Sequence, residues 1–190
     1  AANTMEKAAI PVDIHIEKLF DVPIVKDVLA WGHLISQNEF ADIALYRILR
    51  ERVGESWAGD YFQKMENKSI QEKLDELNKM RNDTNEIDIL MNSITALHEA
   101  MVKKLKADEM VWQILTIIKD SFLIKSIRND YRYNHRLNLA NAGEIMNLAE
   151  QFVNKSPEAN FKNWLEFMQV MSMSTNQIAA QPEIENGNLA

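Results

Sequence analysis

Histidine and carboxylate are the side chains here whose chemistry could hold a metal ion or move a proton. The four histidines are His15, His33, His98 and His135. His98-Glu99 begins like the zinc motif His-Glu-x-x-His, but Val102 stands where the second histidine is needed. No Glu-x-x-His pair occurs, and without cysteine no thiolate zinc site can form. We therefore expect no metal site and no catalytic residue, and assign most of the 28 acidic residues to solvated helix faces.

A nucleotide-binding loop is also missing from the sequence. The five glycines are scattered, and neither G-x-x-x-x-G-K-[ST] nor G-x-G-x-x-G can be found. Loops of these types need clustered glycines so that backbone amides can surround a phosphate. We expect no ATP hydrolysis by this chain alone, and no cofactor bound to it.

Basic residues form the remaining candidate site. Arg47, Arg50 and Arg52 end a predicted helix just before Gly54, and Lys64 follows on the next helix. Gly54 permits a tight turn, and Ser56 is predicted to cap a helix whose first amides attract phosphate. The residues predicted to contact phosphate are Arg50, Arg52, Gly54, Ser56 and Lys64. Two alternatives stay open: the arginines simply stabilise a helix C-terminus, or contact uses a second basic group, Arg128, Arg132, Arg136 and His135.

The elements that must position these residues are mostly α-helices. Only 5 glycines and 4 prolines occur in 190 residues, fewer than the turns of a β-rich fold would need. Apolar residues recur at helical spacing through most of the chain, and we expect a mostly α, multi-helix, bundle-like domain. The one strand signal is the alternation over Pro11–Leu19, which allows at most a short strand pair near the termini.

Local signals predict where individual helices begin and end. Predicted starts are Asp21 as N-cap with Pro23 in the first turn, Asn38, the capping box Ser69–Glu72, and Ser156-Pro157. The spacing places Ile43 on the apolar stripe of the second helix and places most of the 10 methionines in the core. Two long helices carrying Ile87–Leu105 and Val111–Phe122 should form a hairpin across Lys106–Asp108. From Ser172 the chain is polar and aperiodic, which predicts a tail.

Charge and hydropathy restrict the possible partners. The net charge of −7 argues against strong non-specific binding to nucleic acid, which needs a local excess of Lys and Arg. No apolar run approaches the roughly 18 residues that span a bilayer, and the first residues do not form a signal peptide. We expect a cytoplasmic protein with no membrane partner, in line with the absence of cysteine.

Four stretches of sequence resemble the 2B subdomain of UvrD/Rep/PcrA-type superfamily 1 DNA helicases. The first two are F-D-V-P-I-V-K-D-V-L-A-W, beginning at Phe20, and A-D-I-A-L-Y-R-I-L, beginning at Ala41. The others are R-L-N-L at Arg136, followed by Ile145, Leu148, Ala149 and Phe152, and N-W-L-E-F-M at Asn163. They follow in the family's order, and the resemblance covers about Ile10 to Ser174.

The resemblance implies an accessory domain without catalysis. Residues 10–174 would be the 2B-like domain, 1–9 an N-terminal connection and 175–190 a C-terminal connection or tail of an excised fragment. The domain would contribute duplex contact, partner contact or autoinhibition, while the parent's motor domains bind ATP and Mg²⁺ and unwind DNA. The family's paired glycines after R-I-L are absent, and Glu55 follows Gly54, so the isolated domain should bind DNA weakly. The alternative is a self-standing helical scaffold that binds proteins through its Met and aromatic faces.

Overall fold

The chain folds into a bundle of α-helices. A computed structural model describes the backbone of residues 19–128, 132–158 and 160–179, and the side chains of 19–119, 139–158 and 160–173. Eight helices and no strand occur in those ranges: α1 Pro23–Ser36, α2 Ala41–Arg52, α3 Glu55–Lys64, α4 Ile70–Lys79, α5 Asn85–Val102, α6 Ala107–Arg128, α7 Arg132–Lys155 and α8 Phe161–Ala179. The mostly α fold expected from the sequence is confirmed. The strand signal at Pro11–Leu19 lies outside the described residues, except for the buried Leu19.

Helix α1 is the central element of the bundle. It packs against α2, α5, α6, α7 and α8. Pro23 lies in its first turn, as predicted, where a missing N–H is harmless. The predicted cap at Asp21 is wrong: Val22 is the N-cap, and the Asp21 carboxylate pairs with Lys26 Nζ at 3.2 Å. Burial extends around most of α1 and includes Ile24, Val25, Val28, Ala30, Trp31, Gly32, Leu34 and Ile35.

Gly32 lies at a position where α8 approaches α1 closely. A Cβ at this position would lie 2.6 Å from Leu165 Cδ2 and 3.1 Å from Phe161 Cζ. Both of those side chains are buried, so they have little room to move. Glycine has a low helix propensity, but at this position it leaves the space that the side chains of Leu165 and Phe161 occupy.

Gly32→Ala should lower the free energy of unfolding by about 1–2 kcal/mol, because overpacking outweighs the propensity that alanine adds. Gly59→Ala is the matched control: Gly59 lies inside α3 with nothing within 4 Å of an added Cβ. That substitution should stabilise the protein by up to about 1 kcal/mol. Urea unfolding followed by circular dichroism measures both, and equal gains for the two variants would contradict the close approach.

Two predicted helix starts have different outcomes. The capping box of α4 is confirmed: Ser69 Oγ accepts from Glu72 N at 3.3 Å, and Glu72 Oε2 accepts from Ser69 N at 2.9 Å. These hydrogen bonds from Ser69, helped by Lys68, lower the pKa of Glu72 to about 2. The start of α8 at Ser156-Pro157 is wrong, since the helix begins at Phe161. Asn160 and Asn163 cap it instead, each side-chain oxygen accepting from the other residue's N–H at 3.1 Å.

Other sequence-based assignments shift by a turn or a face. Ile43 is exposed, because α2 buries the stripe of Ala41, Ala44, Leu45, Ile48 and Leu49 and Ile43 lies outside that arc. Asn38 is not the N-cap of α2, but its Oδ1 accepts from Phe40 N, and Phe40 holds the cap position. The long helices α5 and α6 pack together as predicted, and residues 103–106 connect them, so Lys106 lies in the connection and Asp108 lies in α6. The tail predicted from Ser172 is wrong at its start, because α8 continues to Ala179.

His33 gives the fold a dependence on pH. Burial lowers the pKa of His33 below its ordinary value of 6.5, and the negative charge of Glu39 offsets this only in part. Asn38 Oδ1 already accepts from Phe40 N, so its Nδ2 faces His33 Nδ1 at 2.8 Å and donates to the neutral ring. Protonation at Nδ1 would remove that acceptor and place a charge in a partly buried position.

The free energy of unfolding should therefore fall as pH drops below 6.5, the pKa of histidine exposed in the unfolded chain, and level off below the folded-state pKa. The sign follows because the unfolded chain binds the proton more tightly than the folded chain does. Urea midpoints measured between about pH 7.5 and 5 should show this slope, and His33→Gln should reduce it. The other histidines are common to both proteins, so an unchanged slope in His33→Gln would contradict the assignment.

Candidate nucleic-acid interface

Gly54 forms the turn between α2 and α3. Its φ of 121° lies in the region that side-chain-bearing residues rarely adopt, and it is the N-cap of α3. Ser56 was predicted to cap this helix, and that prediction is wrong: α3 begins at Glu55, which leaves Ser56 as an exposed residue of its first turn. Since Glu55 also carries a carboxylate at the same helix start, it competes there with any incoming phosphate.

Arg52 is committed to contacts inside the fold. Its Nη2 donates to the Ile117 carbonyl oxygen at 3.1 Å, and its guanidinium lies 5.9 Å from the centre of the Trp31 ring. Ile117 belongs to α6 and Trp31 to α1, so the side chain connects the end of α2 to two neighbouring helices. A guanidinium used in this way is less available to a phosphate than a free surface arginine would be.

Arg47 is held in the same manner. Its Nε donates to Asp27 Oδ1 at 2.7 Å, and its Nη2 donates to the Pro23 carbonyl oxygen at 3.3 Å. This pair joins α2 to α1, and both side chains are partly buried. Arg47 therefore stabilises the packing of α2 on α1, a role different from the helix C-terminus interaction that the sequence left open for the arginine group.

Arg50 and Lys64 remain the most accessible of the predicted cations. Arg50 Nη2 lies 3.2 Å from Glu51 Oε1, in an exposed pair of neighbouring residues that contributes little to stability. Lys64 is exposed at the end of α3, about 15 Å from Gly54 along the helix axis. The structure thus brings Arg50, Arg52, Gly54 and Ser56 to one turn and places Lys64 at the other end of α3.

The side chains of Arg128, Arg132, His135 and Arg136, the second basic group, lie outside the described residues, although their backbone positions fall at the end of α6 and in the first half of α7.

Among the side chains that are described, no three His, Asp or Glu residues gather into a group that could hold a metal ion. Of the helices in the described ranges, none combines the length and apolar character needed to cross a membrane.

One surface was missed from the sequence altogether. Phe167, Val170 and Met173 on α8 are 39%, 62% and 54% exposed, whereas α8 buries Phe161, Trp164, Leu165 and Met168. The signal was present: α8 carries more apolar residues than one helix face can hold, with a second stripe at i, i+3 and i+6. Only the packing shows which of the two stripes is covered.

The geometry of the Gly54 turn does not by itself identify a family. A glycine N-cap with one accessible arginine beside it is compatible with phosphate contact and equally with an ordinary helix junction. Comparisons with protein families, with curated proteins and with solved structures find no match for this chain.

Proposed function

We propose that this chain is the non-catalytic, 2B-like accessory domain of an ATP-dependent DNA helicase. In this proposal, ATP and Mg²⁺ bind to the motor domains of the parent protein, and no chemical step occurs in this chain. The domain contributes contact with duplex DNA, contact with a partner, or autoinhibition. Its contribution is mechanical and depends on how its surfaces meet the motor domains and the DNA.

The observation that carries this proposal is where the four resembling stretches lie. They fall in α1, α2, α7 and α8, and α1 packs against each of the other three. Segments that are far apart in the sequence therefore meet in one core. A chance likeness in separate stretches would not require that they share a single packing unit, so this convergence supports treating them as one family pattern.

Reading the gene on both sides of this segment tests the proposal directly. We expect one reading frame that encodes G-x-x-x-x-G-K-[ST] before residue Ala1 and further motor motifs after Ala190. A start codon at Met5 together with a stop codon directly after Ala190 would overturn it. The self-standing scaffold would then be the better account, supported by the exposed apolar face of α8.

Duplex contact is tested with the full 190-residue chain. We expect a short DNA duplex to bind no more tightly than about 10⁻⁴–10⁻⁶ M at physiological salt, because acidic residues surround the Gly54 turn. At low salt, Arg50→Ala should reduce the slope of log affinity against log salt by about one, the effect of losing one phosphate contact. Fluorescence anisotropy of a labelled duplex measures both quantities.

The control is Lys103→Ala, which removes an exposed cation at the end of α5. Arg52 is left intact, because its removal would also disturb the contact with α6. Binding with an unchanged salt slope in Arg50→Ala would show that the Gly54 turn is not the contact, and Arg128, Arg132 and Arg136 would be replaced next. Absence of binding even at low salt would favour the partner-contact or autoinhibitory role.

A further inference from the structure

The outer face of α8, formed by Phe167, Val170 and Met173, borders an open groove. Phe152 of α7 lies beside it, with its ring centre 5.3 Å from that of Phe167. Ser156 and Pro157 also line the groove, which has a volume of about 760 Å³. Residues of α7 and α8 thus form the apolar floor of the groove, and two turns of α8 line it.

The rim of this groove is acidic. Glu158 and Glu166 both line it and are exposed, and its described lining contains no Lys or Arg. An apolar floor with carboxylates at the edge complements a ligand that has an apolar stripe flanked by cations. We propose that the groove between α7 and α8 binds an amphipathic helix of a partner protein, with apolar residues toward Phe167 and Val170 and Lys or Arg toward the two glutamates.

The dimensions suit a helix. The lining residues of α8, from Asn163 to Val170, span about 10.5 Å along the helix, which matches two turns of a partner helix with apolar residues at i, i+3 and i+7. An extended peptide would need a free strand edge to supply main-chain hydrogen bonds, and the described part of the chain contains no strand. Side-chain packing in a groove is the mode of peptide recognition that this surface offers.

A second copy of the chain is a poorer occupant. In a two-fold symmetric contact the same patch meets itself, so Glu158 and Glu166 of one copy would approach those of the other. Each chain also carries a net charge of −7, which adds repulsion between copies. A basic amphipathic helix would pack on the same apolar floor, and its Lys and Arg residues would be attracted to these negative charges.

The test uses two synthetic helical peptides of about 15 residues that share one leucine stripe. One peptide has lysine on both flanks of the stripe and the other has glutamate. Fluorescence anisotropy with the full chain should show at least about tenfold tighter binding of the lysine-flanked peptide, with the difference shrinking as salt is added.

Two variants assign the binding to this groove. Phe167→Ala combined with Val170→Ala should lower the affinity for the lysine-flanked peptide by at least about tenfold. Glu158→Lys combined with Glu166→Lys should reverse the preference, so that the glutamate-flanked peptide binds more tightly. Trp112→Ala is the matched control, because it removes an exposed aromatic ring outside the groove and should leave both affinities unchanged.

Three results would overturn the proposal. They are equal affinity for the two peptides, insensitivity to the Phe167 and Val170 substitutions, and self-association in sedimentation equilibrium that Val170→Asp abolishes. The last result would assign the face to a second copy. These outcomes are independent of DNA binding, so the helicase proposal and the groove proposal can fail separately.

Discussion

Trp164→Ala is expected to lower the free energy of unfolding by about 3–5 kcal/mol, the loss typical of deleting a fully buried aromatic side chain. Trp164 is completely buried on α8 and stacks with Phe161 at 5.5 Å between ring centres. α8 packs against α1 and α6, so the cavity would open between three helices. Against the total stability of about 5–15 kcal/mol that is typical of a domain, this loss is a large fraction.

Urea unfolding followed by circular dichroism measures this loss, with Trp112→Ala as the control. Trp112 is the same residue type but is 64% exposed, so its removal should change stability by no more than about 0.5 kcal/mol. Trp164→Phe should cost only about 1–2 kcal/mol, because it keeps a ring and removes an indole N–H that has no acceptor among the described residues. Similar losses for Trp164→Ala and Trp112→Ala would contradict the placement of α8.

The second large effect is expected at a buried lysine. Lys73 of α4 is only 3% exposed, and its Nζ lies 2.8 Å from Asp42 Oδ1 of α2 and 5.2 Å from the centre of the Phe62 ring of α3. The Tyr61 hydroxyl donates to the Lys73 carbonyl oxygen. Burial, with a smaller effect of Glu76, raises the pKa of Tyr61, so the hydroxyl stays protonated as a donor. Lys73 therefore joins three helices through one ammonium group.

Asp42→Ala should lower the free energy of unfolding by about 2–3 kcal/mol, because it leaves a buried ammonium without its carboxylate. Lys73→Met should cost no more than about 1 kcal/mol, since an apolar side chain of similar volume fills the site without a charge. In the double variant, Lys73→Met should restore most of the free energy of unfolding that Asp42→Ala removes. Denaturation of all four proteins gives the coupling free energy, and strictly additive losses would show that the pair contributes nothing specific.

Much of the helical framework could be predicted from the sequence. The capping box at Ser69 and Glu72 is a local pattern, because both hydrogen bonds join residues three apart in the chain. Pro23 in the first turn of α1 is local for the same reason. The presence of the helices could be predicted from the spacing of apolar residues, because a helix that packs on one side buries a single face.

Predictions of helix starts were wrong where two local start signals competed. Predictions of burial were wrong where an apolar residue fitted the helical spacing but did not face a neighbouring helix. Ser156-Pro157 is a valid start signal, yet the reciprocal hydrogen bonds of Asn160 and Asn163 begin α8 later. At the candidate interface, Gly54 took the cap position that Ser56 was expected to hold. Ile43 fitted a helical stripe but lies outside the arc that packing buries.

The sequence by itself therefore determined the fold class, the lack of any motif for chemistry, and the resemblance that suggests an accessory domain. Tertiary structure decided the roles of three arginines: Arg47 and Arg52 are held by Asp27 and by the Ile117 carbonyl, and Arg50 stays accessible. It also decided that the outer face of α8 is exposed. Helix formation depends on residues within a turn or two, whereas availability for binding depends on which distant helix lies alongside, and no local pattern contains that information.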